Sequence, residues 1–385
     1  MIGGAQGSLR LQREVRAATL PSRPGCSSRT TSFTDLAQKV VANGDMTRSR
    51  LRLTRKQILV FRRRVGALDG RLPRGERSLR RAAWAGLQDS MPRAALLSIH
   101  ARVEGTEPST WEDPSLVQLW GPRYSAYVVA ARDLAVFSLG RLPDGAAARK
   151  RAEDIAAELR ALLGGTRGSY REAGHALGVN PNRFRYAAPT GTVVIRWSGA
   201  RAPTVWSVPA PEVDPRDARL ELARRYLHVF GPTTPEAFTE WAGIGAGHGH
   251  ASFDALGRAL TPVRTPIGDG WILAADEPTF LAAPGPSAPA RLLPSGDAYF
   301  LLQGVDRMLV VPDADHRRAL WTSRVWPGAL LVDGEVVGTW RRAQRRLTIE
   351  TWRRLSRAAR DAVEAEAASL PLPDLGGPID LRWDD

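Results

Sequence analysis

Helices followed by a two-stranded β ribbon recur along this chain, and this order constrains its fold more than any other feature. Helical patterns over residues 146–163 and 169–177 precede two β-rich runs, GTVVIRWSG (191–199) and APTVWSVPA (202–210). The runs are rich in β-branched and aromatic residues and are separated by a short turn. A helical bundle followed by such a ribbon is the pattern of a winged helix, in which the ribbon is the wing.

The same order returns further along the chain. The ribbon TPVRTPIGDGWILA (261–274) is predicted to turn at Gly268-Asp269-Gly270 and follows three helical patterns, over 214–230, 234–243 and 252–260. We therefore interpret the chain as a repeated architecture without a repeated sequence.

Three short basic helices are predicted upstream of these units. The first begins at Leu53 with Thr54 as N-cap, the second spans 78–87, and the third begins at Pro92. Their spacing indicates a bundle of the helix-turn-helix type.

Downstream of residue 284 the hydrophobic period switches to two. A hairpin is predicted over 328–340 around Asp333-Gly334, and a helix over 356–370 closes the chain. The predicted fold class is α+β, with about three tandem winged-helix modules followed by a small β-rich C-terminal domain. The predicted boundaries are 46–140, 141–213, 214–283 and 284–385.

Residues 1–45 differ from the rest in composition. They mix Gly, Ser, Thr and Arg with little hydrophobic periodicity, whereas Met46 opens an ordered pattern. We predict a disordered or non-native N-terminal extension.

Positive charge is concentrated near the start of the ordered pattern. The chain has 54 Lys+Arg against 40 Asp+Glu, a formal net charge of +14. Fourteen basic and three acidic residues lie between Met46 and Arg93, a local charge of +11. A coding bias explains the preference for arginine over lysine equally well, but it does not explain the clustering, which is typical of a phosphate-contacting surface. The candidate DNA contacts in this segment are Arg48, Arg50, Arg52, Arg55, Lys56, Arg62, Arg63, Arg64 and Arg93.

Several functional classes are excluded. A single cysteine, Cys26, excludes an intrachain disulfide and a cysteine-rich metal site and fits a reducing cytoplasm. No apolar run reaches the roughly 18 residues that a membrane span needs. Walker-type loops, nucleotide-binding glycine fingerprints and serine-hydrolase elbows are missing from the sequence. We therefore predict a cytoplasmic protein without metal or other cofactor.

Four stretches together resemble a bacterial tandem winged-helix family whose characterised members include DNA glycosylases for alkylated bases and interstrand cross-links. They are AGLQDSMPRAALLSIHAR (85–102), RLELARRYLHVFGPTTPEAFTEWAG (219–243), RLLPSGDAYF…DR (291–307) and LLVDGEVVGTWRR (330–342). The resemblance covers roughly residues 55–380. It implies a DNA-repair glycosylase that binds double-stranded, damaged DNA. A monomer is expected, and the lack of a heptad segment disfavours a dimeric transcriptional regulator.

The family's catalytic element is a short motif, glutamine–hydrophobic–glutamine or glutamine–hydrophobic–aspartate. It aligns with Gln88-Asp89-Ser90, so that Gln88 matches while Asp89 and Ser90 depart from the pattern. A second motif, Arg-x-Thr-x-His, aligns with the segment from Arg123 to Tyr127, where the tyrosine replaces the histidine. The resemblance implies catalytic roles for Gln88, Asp89 and Ser90, and DNA contacts for Arg123 and Tyr127. The departures suggest a branch with another lesion preference, or one that binds without cutting.

The chemistry adds a geometric condition. Gln88 and Ser90 can act on one water only in an extended segment, where side chains at i and i+2 face the same way. Pro92 favours this arrangement because it disfavours helix just before it. The structural alternative is that Asp89 or Ser90 caps the next helix and Gln88 is a solvated loop residue.

Two further groups are weaker candidates. His248 and His250 lack a third ligand nearby in the sequence, so a helix-start loop explains them better than a metal site. Asp297, Asp306 and Arg307 are interpreted as a structural ion-pair network.

Two alternatives to a glycosylase stay open. One is a non-catalytic winged-helix DNA-binding protein or transcriptional regulator, and the other is a protein-interaction scaffold with an arginine-rich surface. A steep loss of affinity with salt would separate DNA binding from the scaffold, and release of a damaged base would separate the enzyme from the regulator.

Overall fold

Residues 50–91, 93–199, 202–372 and 377–384 are described by the computed structural model. The predicted N-terminal extension, 1–45, and the candidate DNA contact Arg48 lie outside the described residues.

Helices run through the whole described part of the chain, several of them short. In chain order the α-helices are α1 Arg55–Val65, α2 Glu76–Ala82, α3 Ala94–His100, α4 Leu134–Ser138, α5 Ala146–Leu163, α6 Tyr170–Ala176, α7 Pro215–Phe230, α8 Pro235–Ala242, α9 Ala246–Leu256, α10 Glu277–Leu281, α11 Arg307–Val310, α12 Ala314–Leu320 and α13 Arg357–Ala368.

The described strands are β1 Leu51–Arg52, β2 Leu87–Gln88, β3 Leu116–Trp120, β4 Ala126–Ala130, β5 Gly168–Ser169, β6 Val193–Arg196, β7 Thr204–Ser207, β8 Leu260–Thr265, β9 Gly268–Leu273, β10 Arg291–Leu293, β11 Gly328–Val332, β12 Glu335–Ala343, β13 Arg346–Thr351 and β14 Asp380–Asp384. They form three sheets, with orders β1-β8-β9, β2-β4-β3-β6-β7-β5 and β10-β11-β12-β13-β14. The predicted α+β class is confirmed, and the number of winged-helix modules stays a prediction.

Side-chain caps start many of the predicted helices. Thr54 and Gln57 form a reciprocal capping box at the start of α1. Asp214, Thr234 and Ser356 cap α7, α8 and α13, each by accepting a backbone N–H of the first turn. These helices begin where the sequence predicts, because a cap depends only on residues close in the chain.

The helix predicted over 78–87 is shorter than expected. It ends at Ala82, and the chain turns at Gly86, whose φ is +75°. A Cβ at Gly86 would lie 2.9 Å from the ring of Tyr127, so glycine is required there. Leu87 and Gln88 then enter a sheet as β2 instead of continuing the helix.

Two other local predictions are wrong. The ribbon over 261–274 has no turn at Gly268-Asp269-Gly270, because Thr265 already pairs with Gly268 and the turn falls on Pro266-Ile267. The helix predicted over 252–260 spans Ala246–Leu256 instead.

The predicted ribbon over 191–210 is part of the largest sheet. Its strands β6 and β7 pair antiparallel, and Gln118 of β3 pairs with Ile195 of β6. This sheet therefore crosses the predicted boundary between residues 140 and 141. The second ribbon is also extended, because Leu51 of β1 pairs in parallel with Val263 of β8.

The C-terminal sheet contains the predicted hairpin. Strands β11 and β12 pair across Asp333-Gly334, whose φ values are +52° and +80°. Positive φ at both central residues defines the tight turn that Asp-Gly sequences favour, so this prediction is confirmed.

One hydrophobic core joins the helices to this sheet. Aromatic residues of α7 and α8, among them Tyr226, Phe230 and Trp241, are buried together with Leu293 of β10 and Leu331 of β11. No helix among the described residues is long and apolar enough to cross a membrane.

Candidate active site

The Gln88-Asp89-Ser90 segment is extended, as the chemistry requires. Leu87 and Gln88 pair antiparallel with β4, and the backbone N–H of Asp89 donates to the carbonyl of Ala126 at 2.8 Å. Side chains therefore alternate between the two sides of the segment, and those of Gln88 and Ser90 point the same way.

Gln88 and Ser90 contact each other directly. Nε2 of Gln88 donates to Oγ of Ser90 at 3.2 Å. Oε1 of Gln88 is buried, and none of the described residues donates a hydrogen bond to it. Ser90 itself is exposed, so the pair presents the serine hydroxyl to solvent while the amide oxygen of Gln88 is buried.

Asp89 points to the opposite side and is buried. Its Oδ1 accepts the backbone N–H of Ala95 at 3.0 Å, within the first turn of α3, and its Oδ2 accepts Nε2 of Gln118 at 2.7 Å. Oε1 of Gln118 in turn accepts the backbone N–H of Trp197 at 2.5 Å. The carboxylate thus ties the segment to a helix start and to the large sheet, as the structural alternative for Asp89 requires.

The environment of Asp89 disfavours its charged form. Burial raises the pKa of Asp89 to about 7, although the hydrogen bonds from Ala95 and Gln118 and the charge of Arg93 offset part of that rise. Protonation of this carboxyl group is therefore coupled to folding.

We expect this coupling to appear as a pH dependence of stability. Because the folded-state pKa of Asp89 is raised, its contribution to the free energy of unfolding is complete below about pH 4 and is lost as the pH rises through about 7. Urea unfolding from pH 5 to 8 should show the free energy of unfolding of wild type falling relative to that of Asp89→Asn as the pH rises. The exposed Asp254→Asn is the control, and a difference that is constant with pH would contradict the assignment.

Two arginines stack near the start of α3. The guanidinium groups of Arg93 and Arg196 lie 4.0 and 4.4 Å from the ring centroid of Trp111. Arg93 directly precedes α3 and has a φ of +67°. Cation–π contacts of this kind fix the guanidinium groups in place beside the Gln88-Ser90 segment.

A cleft of about 470 Å³ opens beside the segment. Met91, which follows Ser90, forms part of its wall. Ser295 is also part of the wall, and the next residue, Gly296, packs against Gln88. The wall is mostly apolar, with arginines contributed by β12; it is lined by Met91, Ala94, Leu97, Pro294, Ser295, Val325, Trp326, Pro327, Gly328, Trp340, Arg341, Arg342, Ala343 and Thr348.

Three of the predicted DNA contacts lie in the interior. Arg62 donates to the carbonyl of Gly231 at 3.2 Å, and Arg63 pairs with Asp69 at 2.7 Å. Tyr127 is completely buried in the sheet. Because these side chains hold the fold together, a duplex on the surface does not reach them, and the charge count overstates the basic surface.

The other predicted contacts are nearer the surface. Arg50 pairs with Asp269 at 2.8 Å, and Arg55 donates to Glu335 at 2.9 Å. Two further candidates are exposed, Arg52 and Lys56. The remaining three are half-buried, Arg64, Arg93 and Arg123.

Arg123 occupies a strained turn. Its φ is +53° and that of Tyr124 is +56°, values that non-glycine residues adopt infrequently. A Cβ at Gly243 would lie 3.1 Å from the backbone of Arg123, so this loop is packed tightly against the end of α8. Such strain is concentrated at functional sites in proteins.

The two histidines have different acidic partners. His248 lies 3.0 Å from Asp144, and His250 lies 3.0 Å from Glu236. They do not converge on one point.

Asp297, Asp306 and Arg307 do not form the predicted network. Asp297 binds Arg102, whereas the Arg307 guanidinium lies 5.4 Å from the ring centroid of Trp326 at the cleft. Sequence spacing alone does not reveal the partner of Asp297, because Arg102 is 195 positions away in the chain.

A second basic segment was missed by the sequence analysis. Between Trp340 and Arg360 there are eight basic residues and one acidic residue. Four of them, Arg341, Arg342, Arg345 and Arg346, are exposed around the turn between β12 and β13. A charge count along the whole chain, instead of its first hundred residues, would have found this signal.

Comparison with known structures identifies the class of fold. The chain is similar to a Streptomyces sahachiroi DNA glycosylase, AlkZ, with a TM-score of 0.68 and 18% sequence identity, over 86% of this chain and 100% of that chain. The chain therefore shares the fold of that protein.

The sequence assigns the family. The model of the AlkZ-like DNA glycosylases matches residues 80–371, and the chain belongs to this family. A search of the curated proteins gives no match. The prediction of a DNA-repair glycosylase is confirmed at the level of the family, which implies that the protein binds DNA.

Proposed function

We propose that this protein hydrolyses the N-glycosidic bond of alkylated or cross-linked bases in damaged duplex DNA, acting as a monomer. The observation that carries the proposal is the direct contact between Gln88 Nε2 and Ser90 Oγ, at the side of a cleft whose wall includes arginines. Family membership supplies the reaction class, and this contact supplies the group that can orient a water.

The reaction asks for a positioned water more than for a strong acid. An N-alkylated purine is cationic and leaves readily, so the sugar develops oxocarbenium character with little protonation of the base. Dipoles and a bound water then stabilise and trap that cation.

Ser90 is suited to hold the water. A serine oxygen has two lone pairs, and one of them accepts the N–H of Gln88. The second can accept a hydrogen from the attacking water, which orients the water's own lone pair toward the sugar. The Gln88 amide is thus assigned to orient Ser90, and both residues form the reactive pair.

Asp89 is assigned a structural role in this mechanism. Its two oxygens accept hydrogen bonds from Ala95 and Gln118, and the residue is only 4% exposed. Its side chain points away from that of Ser90, because neighbouring side chains alternate in an extended segment. It holds the segment extended so that its two neighbours stay on one side.

A single-turnover assay tests the proposal. Excess wild-type protein is incubated with a duplex that carries one N7-methylguanine, and with a duplex that carries one interstrand cross-link. Alkaline cleavage at the lesion or disappearance of the cross-linked band supports excision, and the unmodified duplex is the control. Binding without release from either substrate would favour the non-catalytic DNA-binding protein instead.

The exposed arginines of the β12–β13 turn are expected to bind DNA phosphates. Removing one arginine–phosphate interaction should reduce the slope of log K against log salt by about 0.9, and Arg345→Ala removes one exposed charge there. Arg74→Ala is the matched control, because Arg74 is exposed but pairs with Glu107 at 3.1 Å. Fluorescence anisotropy from 50 to 300 mM salt measures the slopes, and equal slopes for all variants would contradict this surface.

A further inference from the structure

A tight turn at residues 294–297 lies directly against Gln88. The N–H of Asp297 donates to the carbonyl of Pro294 at 3.0 Å, and Gly296 has a φ of +78°. A Cβ at Gly296 would lie 3.2 Å from Cδ and 3.3 Å from Oε1 of Gln88. The Gln88 amide therefore packs on bare backbone, in space that any side chain would take.

Buried charges hold this turn. The carboxylate of Asp297 accepts two hydrogen bonds from Arg102, both at 2.7 Å, and one from Oγ of Ser98 at 2.7 Å. The side chains of Asp297 and Arg102 are 0% and 3% exposed. A fully bonded buried pair of this kind is rigid, since any displacement leaves a charge without partners.

One helix connects the turn to the reactive segment. Ala95, in the first turn of α3, donates to Asp89, whereas Ser98 of the same helix and Arg102, just beyond its C-terminal end, bind Asp297. The same short helix therefore fixes the backbone on either side of the Gln88 amide.

We propose that the turn at 294–297 is a positioning element for catalysis. The backbone of Gly296 supports the Gln88 amide, and hydrogen bonds within the Ser98–Asp297–Arg102 cluster hold the turn in place. The proposal rests on the proposed role of Gln88 in base excision. Neither Gly296 nor Asp297 acts on substrate; both act through the orientation of Gln88.

A matched pair of glycine variants tests whether the packing of Gly296 against Gln88 matters for catalysis. Gly296→Ala adds a methyl group against Gln88, whereas Gly304→Ala adds one at another positive φ, +48°, with no atom of the described residues within 4 Å. Both carry the same kind of backbone strain, so thermal unfolding measures that shared effect. We expect Gly296→Ala to lower kcat about 10-fold or more with KM nearly unchanged, and Gly304→Ala to leave both unchanged.

A second readout is independent of activity. The chain has eight glutamines, so selective ¹⁵N labelling gives few side-chain amide signals, and Gln88→Ala identifies that of Gln88. We expect this signal to shift in Gly296→Ala and to be unmoved in Gly304→Ala. Ser98→Ala, which removes the serine hydrogen bond to Asp297, should shift it less and serves if Gly296→Ala does not fold.

The two proposals fail in different ways. Wild-type protein that releases no damaged base overturns the proposed function, whatever the Gln88 signal does. An unmoved Gln88 signal in folded Gly296→Ala, or a kcat equal to that of Gly304→Ala, overturns the positioning role even if wild type excises efficiently.

Discussion

Gln88→Ala is expected to abolish most of the base-excision activity, with a fall in the single-turnover rate of about 100-fold or more. The amide is the group that donates to Ser90 Oγ, and without it the serine hydroxyl is free to rotate away from the water. Because Gln88 is only half-buried, removing its side chain leaves a smaller cavity than removing a fully buried one. Stability should therefore change far less than the rate.

Two variants separate the reasons for such a fall in rate. Gln88→Asn keeps an amide on a side chain one methylene shorter, which no longer reaches Ser90; we expect it to resemble Gln88→Ala. Ser90→Ala removes the water's acceptor and should fall in the same range. Affinity for the lesion duplex, measured by anisotropy, should stay within a few-fold of wild type for all three, and full excision by Gln88→Ala would refute the assignment.

The parts of the fold that the sequence predicts well are those decided locally. The cap at Thr54 and the Asp-Gly turn at 333–334 depend on residues within four positions of each other. The extended Gln88 segment was also predicted, because Pro92 disfavours helix in the residues just before it.

The parts that the sequence does not predict depend on distant partners. Arg62 and Arg63 count as surface charge in the sequence, yet their partners include the carbonyl of Gly231 and that of Gly334, more than 150 residues away. The turn at 294–297 is also a distant partner, since Gly296, which packs against Gln88, lies more than 200 residues downstream of it. A single sequence, read without aligned relatives, carries no signal for such contacts.

Asp133 shows the same limit at a site important for stability. Asp133 is at the N-cap position of α4, but its side chain accepts no hydrogen bond from that helix. Its carboxylate instead accepts two hydrogen bonds from Arg80, at 2.9 and 2.8 Å, and one from Arg225 at 3.0 Å. The guanidinium of Arg225, which is buried, also lies 4.1 Å from the ring centroid of Trp84. Asp133 is therefore the charge that holds α2 against α7.

Asp133→Ala is expected to lower the free energy of unfolding by about 3 kcal/mol, because it removes a partner of the buried Arg225 and leaves that arginine with Glu221 as its counter-charge among the described residues. Burial raises the pKa of Asp133, but the hydrogen bonds from Arg80 and Arg225 outweigh it and hold the pKa below its ordinary value. The contribution is therefore present at neutral pH and is lost as the pH falls through that lowered pKa.

Urea unfolding at pH 7 and at pH 3 measures both parts of this expectation. The difference between wild type and Asp133→Ala should be large at pH 7 and clearly smaller at pH 3. Asp154→Ala is the control: Asp154 pairs with Lys150 at 2.8 Å on the exposed surface, and its removal should change stability by less than about 1 kcal/mol. If both variants lose the same stability, the Arg80–Asp133–Arg225 cluster contributes no more than an exposed pair, and the separation of α2 from α7 must be fixed by apolar packing alone.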